Sequence, residues 1–238
     1  MTTRESSEKN RPRPPTIHWC AGSPCCDPEW EQAYRDFETP EEEKRKFMQR
    51  YRMLGVDRWP LEWDVVDLFC GRGNSLATLA QIGFDNLEGV DLSPDLLAQY
   101  HGPVQTYVGD CRDLQFEDES KDVVIIQGGL HHLPALPDDM DAVLTEVRRI
   151  LRPSGRFVLI EPWLTPFLRI VHAACAIRLL RRAWGKLDAV ARMNECEWTT
   201  YHRWLSRPKE VLESLEGHFH TQDRHIGWGK LMLVATKR

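Results

Sequence analysis

The chain has 238 residues, 42% of them hydrophobic, and a net charge of -5 with a pI near 6.0. That length holds one α/β domain with an insertion rather than two full domains, and the acidic balance argues against nucleic acid, whose phosphates need an excess of Lys and Arg. A small molecule is the expected partner; seven cysteines in an α/β-like chain with no signal peptide suggest reduced thiols in a cytoplasm, and no stretch reaches transmembrane length free of charge.

Residues 1–15 are polar, charged and proline-bearing, and read as a tail that cannot bury enough apolar surface to order itself. In the HWCAGSPCC stretch that follows, His18, Cys20, Cys25 and Cys26 could be imagined as metal ligands. Their spacing contains no C-x-x-C pair, so spare or buried thiols are expected and no metal. From Pro28 to Leu54, Trp30, Tyr34, Phe37, Phe47, Tyr51 and Leu54 recur at spacings of three and four, the pattern of one or two amphipathic helices. Residues 16–62 are therefore read as an N-terminal helical cover, packed on a sheet or closing over a ligand, and residues 63–238 as the main domain.

That domain opens on VVDLFCGRGNSLATL, residues 65–79: a buried strand, a turn in which Gly71 and Gly73 flank Arg72, and a helix from Asn74. Glycine lets backbone approach a ligand, and the first amides of the helix point outward unpaired. A dinucleotide turn, G-x-G-x-x-G, would need glycine where Leu76 stands, and Asp67 would oppose a pyrophosphate while suiting a positively charged ligand.

The helix closes at Gly83, and Leu87–Leu92 forms a second strand ending in Asp91, where an acid can accept both hydroxyls of a ribose. Ser93 and Pro94 after it could also start the next helix, with Ser93 as its cap, and the two roles can hold together. Val104–Val108 is a third strand, followed by Asp110 and Cys111. Asp122–Gln127 is an uninterrupted apolar strand running into GGLHHLP, which sets Gln127, His131 and His132 at the sheet edge where ligands bind. An amphipathic helix over Asp138–Leu151 leads through a turn at Ser154 and Gly155 into a fifth strand, Phe157–Glu161, whose last residue is a base, an anchor for substrate or a capping carboxylate. Phe167–Leu180 is apolar nearly all round, with Arg178, Arg181 and Arg182 in one sector. A buried cap over an acceptor pocket is the first reading of this insertion, ahead of a shallow membrane contact or an oligomer interface. After EWTTYHRW, with Tyr201 and His202, a helix and a closing hairpin (Phe219–His225 and Trp228–Thr236) end the chain.

The DLFCGRG turn resembles motif I of the class I S-adenosylmethionine-dependent methyltransferases, D-x-G-x-G-x-G, with Phe69 in place of the first glycine. The likeness extends over about Trp63 to Arg238, and its HHLP phrase is similar to small-molecule enzymes of the ubiquinone and menaquinone type. It implies an α/β fold: a Rossmann-like, seven-stranded, mostly parallel sheet ending in an antiparallel hairpin, with residues 162–206 as a cap insertion. It implies S-adenosyl-L-methionine as cofactor, S-adenosyl-L-homocysteine as product, and a cofactor site of Asp67, Phe69, Gly71, Gly73, Asp91, Leu92, Asp110, Cys111 and Gln127. Asp110 and the Cys111 amide take the adenine. His131 or His132 is the expected catalytic base for a small acceptor methylated at oxygen or nitrogen, with Glu161, Trp163, Tyr201 and His202 against that acceptor. A module that holds the cofactor without catalysis and a nicotinamide-dependent oxidoreductase are the alternatives.

Overall fold

The computed structural model describes residues 17–19 and 28–238. The tail and the candidate ligands Cys20, Cys25 and Cys26, with the His18 side chain, lie outside the described residues. β-Branched runs bounded by turn residues give one sheet of β1 (Ile17–Trp19), β2 (Asp64–Leu68), β3 (Asn86–Asp91), β4 (Gln105–Val108), β5 (Lys121–Gln127), β6 (Leu151–Pro162), β7 (Phe219–Gly227) and β8 (Lys230–Lys237). Their order is β1-β4-β3-β2-β5-β6-β8-β7. Strands β1 to β6 pair in parallel, and β8 runs antiparallel to both β6 and β7. Chain order reverses between β2 and β5, which opens a crevice at their carboxyl ends.

Seven of the strands are the predicted ones. The eighth, β1, adds an edge to a segment read as helical cover, and three residues are too few to show a strand period. β6 also starts earlier than predicted. Helix α5 (Asp138–Ile150) stops one residue short, Leu151 already pairs with Lys121, and the expected turn at Ser154 and Gly155 is absorbed as an irregularity before Arg156 meets Val123.

Helices cover both faces, so the central strands lie buried on both sides. On one face, α2 (Pro40–Met53) and α3 (Asn74–Ile82) pack Phe47, Tyr51, Leu76 and Leu79 against Val65, Val123 and Ile125. On the other, α5, α9 (Trp198–Ser206) and α10 (Pro208–His218) bring Val143, Val147, Trp204 and Leu215 onto Val66, Val124 and Phe157. The remaining helices are α1 (Pro28–Phe37), α4 (Pro94–Leu97), α6 (Pro166–Cys175), α7 (Arg178–Ala183) and α8 (Gly185–Cys196). Thr39 and Glu42 form a capping box at the start of α2.

The insertion corrects the sequence reading. The run over 167–180, read first as a buried cap, lies in two helices, α6 and α7, neither of which buries a residue. Covering falls instead to α8, which packs along α1, and to α9, which packs on the turn holding His131 and His132. Arg178 and Arg182 are exposed, and Arg181 pairs with Asp188 and Glu195 (2.8 and 2.5 Å). No helix among the described residues is long and apolar enough to cross a membrane.

Candidate active site

The glycine turn after β2 has the backbone its sequence demands at two points. Gly73 has φ +73°, and a Cβ there would lie 2.3 Å from the Tyr100 ring. Phe69 also has φ +58°, so the chain keeps a left-handed conformation although a phenyl ring stands where the resembled motif has glycine. Gly129 makes room for that ring: a Cβ on Gly129 would lie 2.2 Å from Phe69 Cγ.

Asp67, next to last in β2, is almost fully buried, and its Oδ2 has no hydrogen-bond partner among the described residues. Burial pushes its carboxyl up from 3.8 to about 7, with the Asp91 and Glu43 charges adding to the effect. An orphaned carboxylate oxygen beside a glycine turn fits a ligand that brings positive charge and hydrogen-bond donors, as the methionine part of S-adenosylmethionine does. Asp91 ends β3 as predicted. Its two oxygens accept from the backbone amides of Gly71 (2.7 Å) and Ser93 (2.8 Å), so it joins the glycine turn to the start of α4. Ser93 caps α4 through the Leu96 amide, which confirms the capping geometry, and its hydroxyl also donates to Glu31 of α1 at 2.9 Å. Leu92 lies between them, half-buried. Cys111 is buried, and burial pushes its thiol well above the ordinary range. Both oxygens of Asp110 are engaged by Arg112, which also reaches Asp139 of α5.

Arg72, between the two glycines, is buried against Glu43 (2.9 Å), the Glu38 carbonyl (2.8 Å) and the Tyr34 ring (4.5 Å). Glu43 also accepts from Asn74 (2.6 Å) and bonds Tyr34. The N-terminal helices thus grip the turn itself. Gln127, at the end of β5, is held by α2: its amide nitrogen donates to the Tyr51 hydroxyl (2.7 Å), which bonds Ser75 (2.5 Å), and its oxygen accepts from Arg50 at 3.5 Å.

Across the crevice, Glu161 is fully buried at the end of β6. One oxygen accepts the amides of Gly129 and Leu130 (2.8 Å each), and the other lies 2.7 Å from His131 Nδ1. It is therefore the carboxylate that shapes the histidine turn. His131 and His132 have ring centroids 4.1 Å apart, and Glu197 of the α8–α9 junction reaches both, at 3.6 and 3.4 Å. Burial pulls His131 down, yet the Glu161 charge and hydrogen bond outweigh it and raise the imidazole to about 9. Burial and the His131 charge instead pull His132 down to about 4. Trp30 of α1 stands edge-on to His132 at 5.2 Å, and Tyr201 edge-on to His131 at 5.7 Å. Tyr201 also bonds His172 at 3.1 Å.

The structure thus brings together His131, His132, Glu161 and Tyr201 on one side and Asp67, Phe69, Gly71, Gly73 and Asp91 on the other. It does not bring His202, which is exposed and stacks on Trp198 at 5.1 Å. Successive helical residues point about 100° apart, so Tyr201 and His202 cannot share a face. Trp163 is half-buried, packs against the core and donates its amide to the Gly229 carbonyl (2.8 Å). The sequence reading missed Glu197 and Arg72; the cue for Arg72 was an arginine between two glycines with an acid-rich helix upstream.

Residues 66–159 match a family model described as a methyltransferase domain. An uncharacterized methyltransferase of Synechocystis sp. is 32% identical over 136 residues, which are 52% of this chain and 63% of that protein. A demethylmenaquinone methyltransferase of Lactobacillus johnsonii is 30% identical over 129 residues, 50% of this chain and 49% of that protein. The chain spans between 37% and 64% of the length of the first curated relatives it matches. Among solved structures, the PH0226 protein of Pyrococcus horikoshii OT3 superposes with a TM-score of 0.64 at 21% identity, over 90% of this chain and 100% of that one. Magnesium protoporphyrin IX methyltransferase of Synechocystis, solved with bound SAH, gives 0.59 at 16% identity over 88% and 93%. The stretch from β2 into β6 that holds the glycine turn thus matches a methyltransferase domain, and the chain has the fold of those solved structures.

Proposed function

We propose that the chain methylates a small-molecule acceptor at oxygen or nitrogen, with S-adenosyl-L-methionine as donor. The observation that carries this reading is the pair of imidazoles of opposite proton affinity in the turn after β5, one of them held by Glu161 near the end of β6, on the same sheet edge as the glycine turn. Relatives named for demethylmenaquinone support a small organic acceptor over a macromolecule.

When bound, S-adenosylmethionine supplies a methyl group already activated by its positive sulfur. Asp67, Phe69, Gly71 and Gly73 are assigned to its methionine end, Asp91 and Leu92 to the ribose, Asp110 and Cys111 to the adenine, and Gln127 to the wall between donor and acceptor. His132, neutral at pH 7, takes the acceptor's proton. His131, kept protonated by Glu161, orients the acceptor together with Tyr201, and Glu197 steadies both rings. Helix α1 is the lid: Trp30 covers His132 and Glu31 holds Ser93, so closure excludes water and fixes nucleophile and methyl at attack distance.

Calorimetry with S-adenosylmethionine and its demethylated product, followed by transfer of a labelled methyl into a metabolite extract, tests this. Both compounds should bind, label should appear in a small molecule, and His132→Ala should keep the binding while losing about 10²–10⁴-fold in transfer. Absence of heat with either compound overturns the donor assignment; full transfer by His132→Ala overturns the base. Binding with no transfer into any fraction would leave a module that holds the nucleoside without using it.

A further inference from the structure

Apolar side chains left uncovered on this chain fall mostly in its second half, and several of them meet on α6, α7 and the β7–β8 tip. Among the described residues, every large exposed hydrophobic except Met53 and Leu61 lies between Phe167 and Trp228. Helices α6 and α7 bury nothing: Ile170 is 69% exposed, Leu179 74% and Trp184 61%. On α6, Pro166, Phe167, Arg169, Ile170 and Ala173 form the exposed face at helical spacing, and exposure continues through Ile177 into α7. The turn between β7 and β8 joins this surface. Trp228, 82% exposed at its tip, stands edge-on to Phe167 at 5.3 Å, and Leu168 packs against Gly229.

The charges of the patch are equally one-sided. Arg169, Arg178 and Arg182 are exposed on the same two helices, and none makes an ion pair or side-chain hydrogen bond among the described residues. Neighbouring Arg181, by contrast, is neutralised by Asp188 and Glu195. In a chain of net charge -5, three cations left without acids amid exposed Ile, Leu and Trp select an anionic partner that also offers an apolar phase. A second copy of the chain fits poorly, because a two-fold contact would set the same arginines against each other.

We propose that α6, α7 and the β7–β8 tip form a docking surface for an anionic lipid bilayer. Short amphipathic helices lie in the interface plane with the apolar face among the upper acyl chains and arginines at the headgroups, and the exposed tryptophans suit the headgroup level. The surface leads directly out of β6 through Pro162, beside the edge that carries His131 and His132, so docking brings the mouth of the site to the membrane.

Sedimentation of the full chain with vesicles of phosphatidylcholine alone, or mixed with phosphatidylglycerol, tests this at low and high salt. The chain should bind the anionic vesicles, poorly bind the neutral ones, and release as salt rises. Arg178→Ala and Arg182→Ala should each weaken binding about fivefold, and Ile170→Glu with Leu179→Glu should abolish it while circular dichroism and S-adenosylmethionine binding stay unchanged. The proposal is overturned if anionic vesicles do not retain the chain or retain the variants equally well. It is also overturned if the glutamate pair instead removes a concentration-dependent dimer that forms without lipid.

Discussion

A buried carboxylate oxygen with no partner, as at Asp67, weakens the ligand-free protein in a pH-dependent way. Its folded pKa of about 7 exceeds the ordinary 3.8, so the native state holds a proton that the unfolded chain releases. Stability is complete below the unfolded value and falls as pH rises through 7, by about 4 kcal/mol in total for a shift of this size. Thermal melts of Asp67→Asn should therefore be flatter between pH 4 and 8, with a Tm above that of the wild type at pH 8, while affinity for S-adenosylmethionine falls at least tenfold. His132 carries a second pH prediction. With its imidazole pulled down to about 4, the acid limb of kcat/KM for the acceptor, read at saturating S-adenosylmethionine so that Asp67 is already engaged, should lie below pH 5 rather than at the ordinary 6.5. Phe69 and Gly129 carry a third. Gly129→Ala drives a methyl into the Phe69 ring and should destabilise by about 1–3 kcal/mol, and Phe69→Ala should reduce that cost, which a double-mutant cycle of urea melts would measure. Asp67, Asp91 and the histidine pair were legible because each sits at a strand end that the local pattern marks. Glu197, Arg72 and Tyr51 were not, because their partners come from distant chain: Arg72 meets Glu43 across 29 residues and Tyr51 meets Gln127 across 76.

At the scale of elements, the parallel strands and α5 announce themselves through runs of Val and Ile and a clean helical stripe, whereas the insertion does not. Its Ala-, Leu- and Ile-rich run continues without Gly or Pro through the break at Ile177, where the backbone turns extended between α6 and α7. Composition alone reads such a run as buried, and only tertiary packing shows that α8 and α9 take the inner place. The importance of α9 rests on Trp204, fully buried, whose indole donates to the Pro162 carbonyl at 2.7 Å. Trp204→Ala should cost about 3–5 kcal/mol in urea melts through the cavity it leaves, and should also lower turnover, because Glu197 begins the same helix.

Across the whole molecule, strand order follows from rules that sequence reading can apply: parallel crossovers through helices, a reversal at the second strand and a hairpin to close. What those rules cannot foresee is how far-separated segments meet over the crevice. Asp36 of α1 pairs with Arg192 of α8 at 2.6 Å, and Glu42 of α2 pairs with Lys186 at 2.6 Å. All four side chains are solvent-accessible, so the fastenings joining the amino-terminal arm to the inserted segment respond to ionic strength. In the function proposed above this roof parts as one jaw to release spent nucleoside, so stopped-flow exchange should quicken with added salt long before melting temperature changes: electrolyte would work as a throttle on turnover.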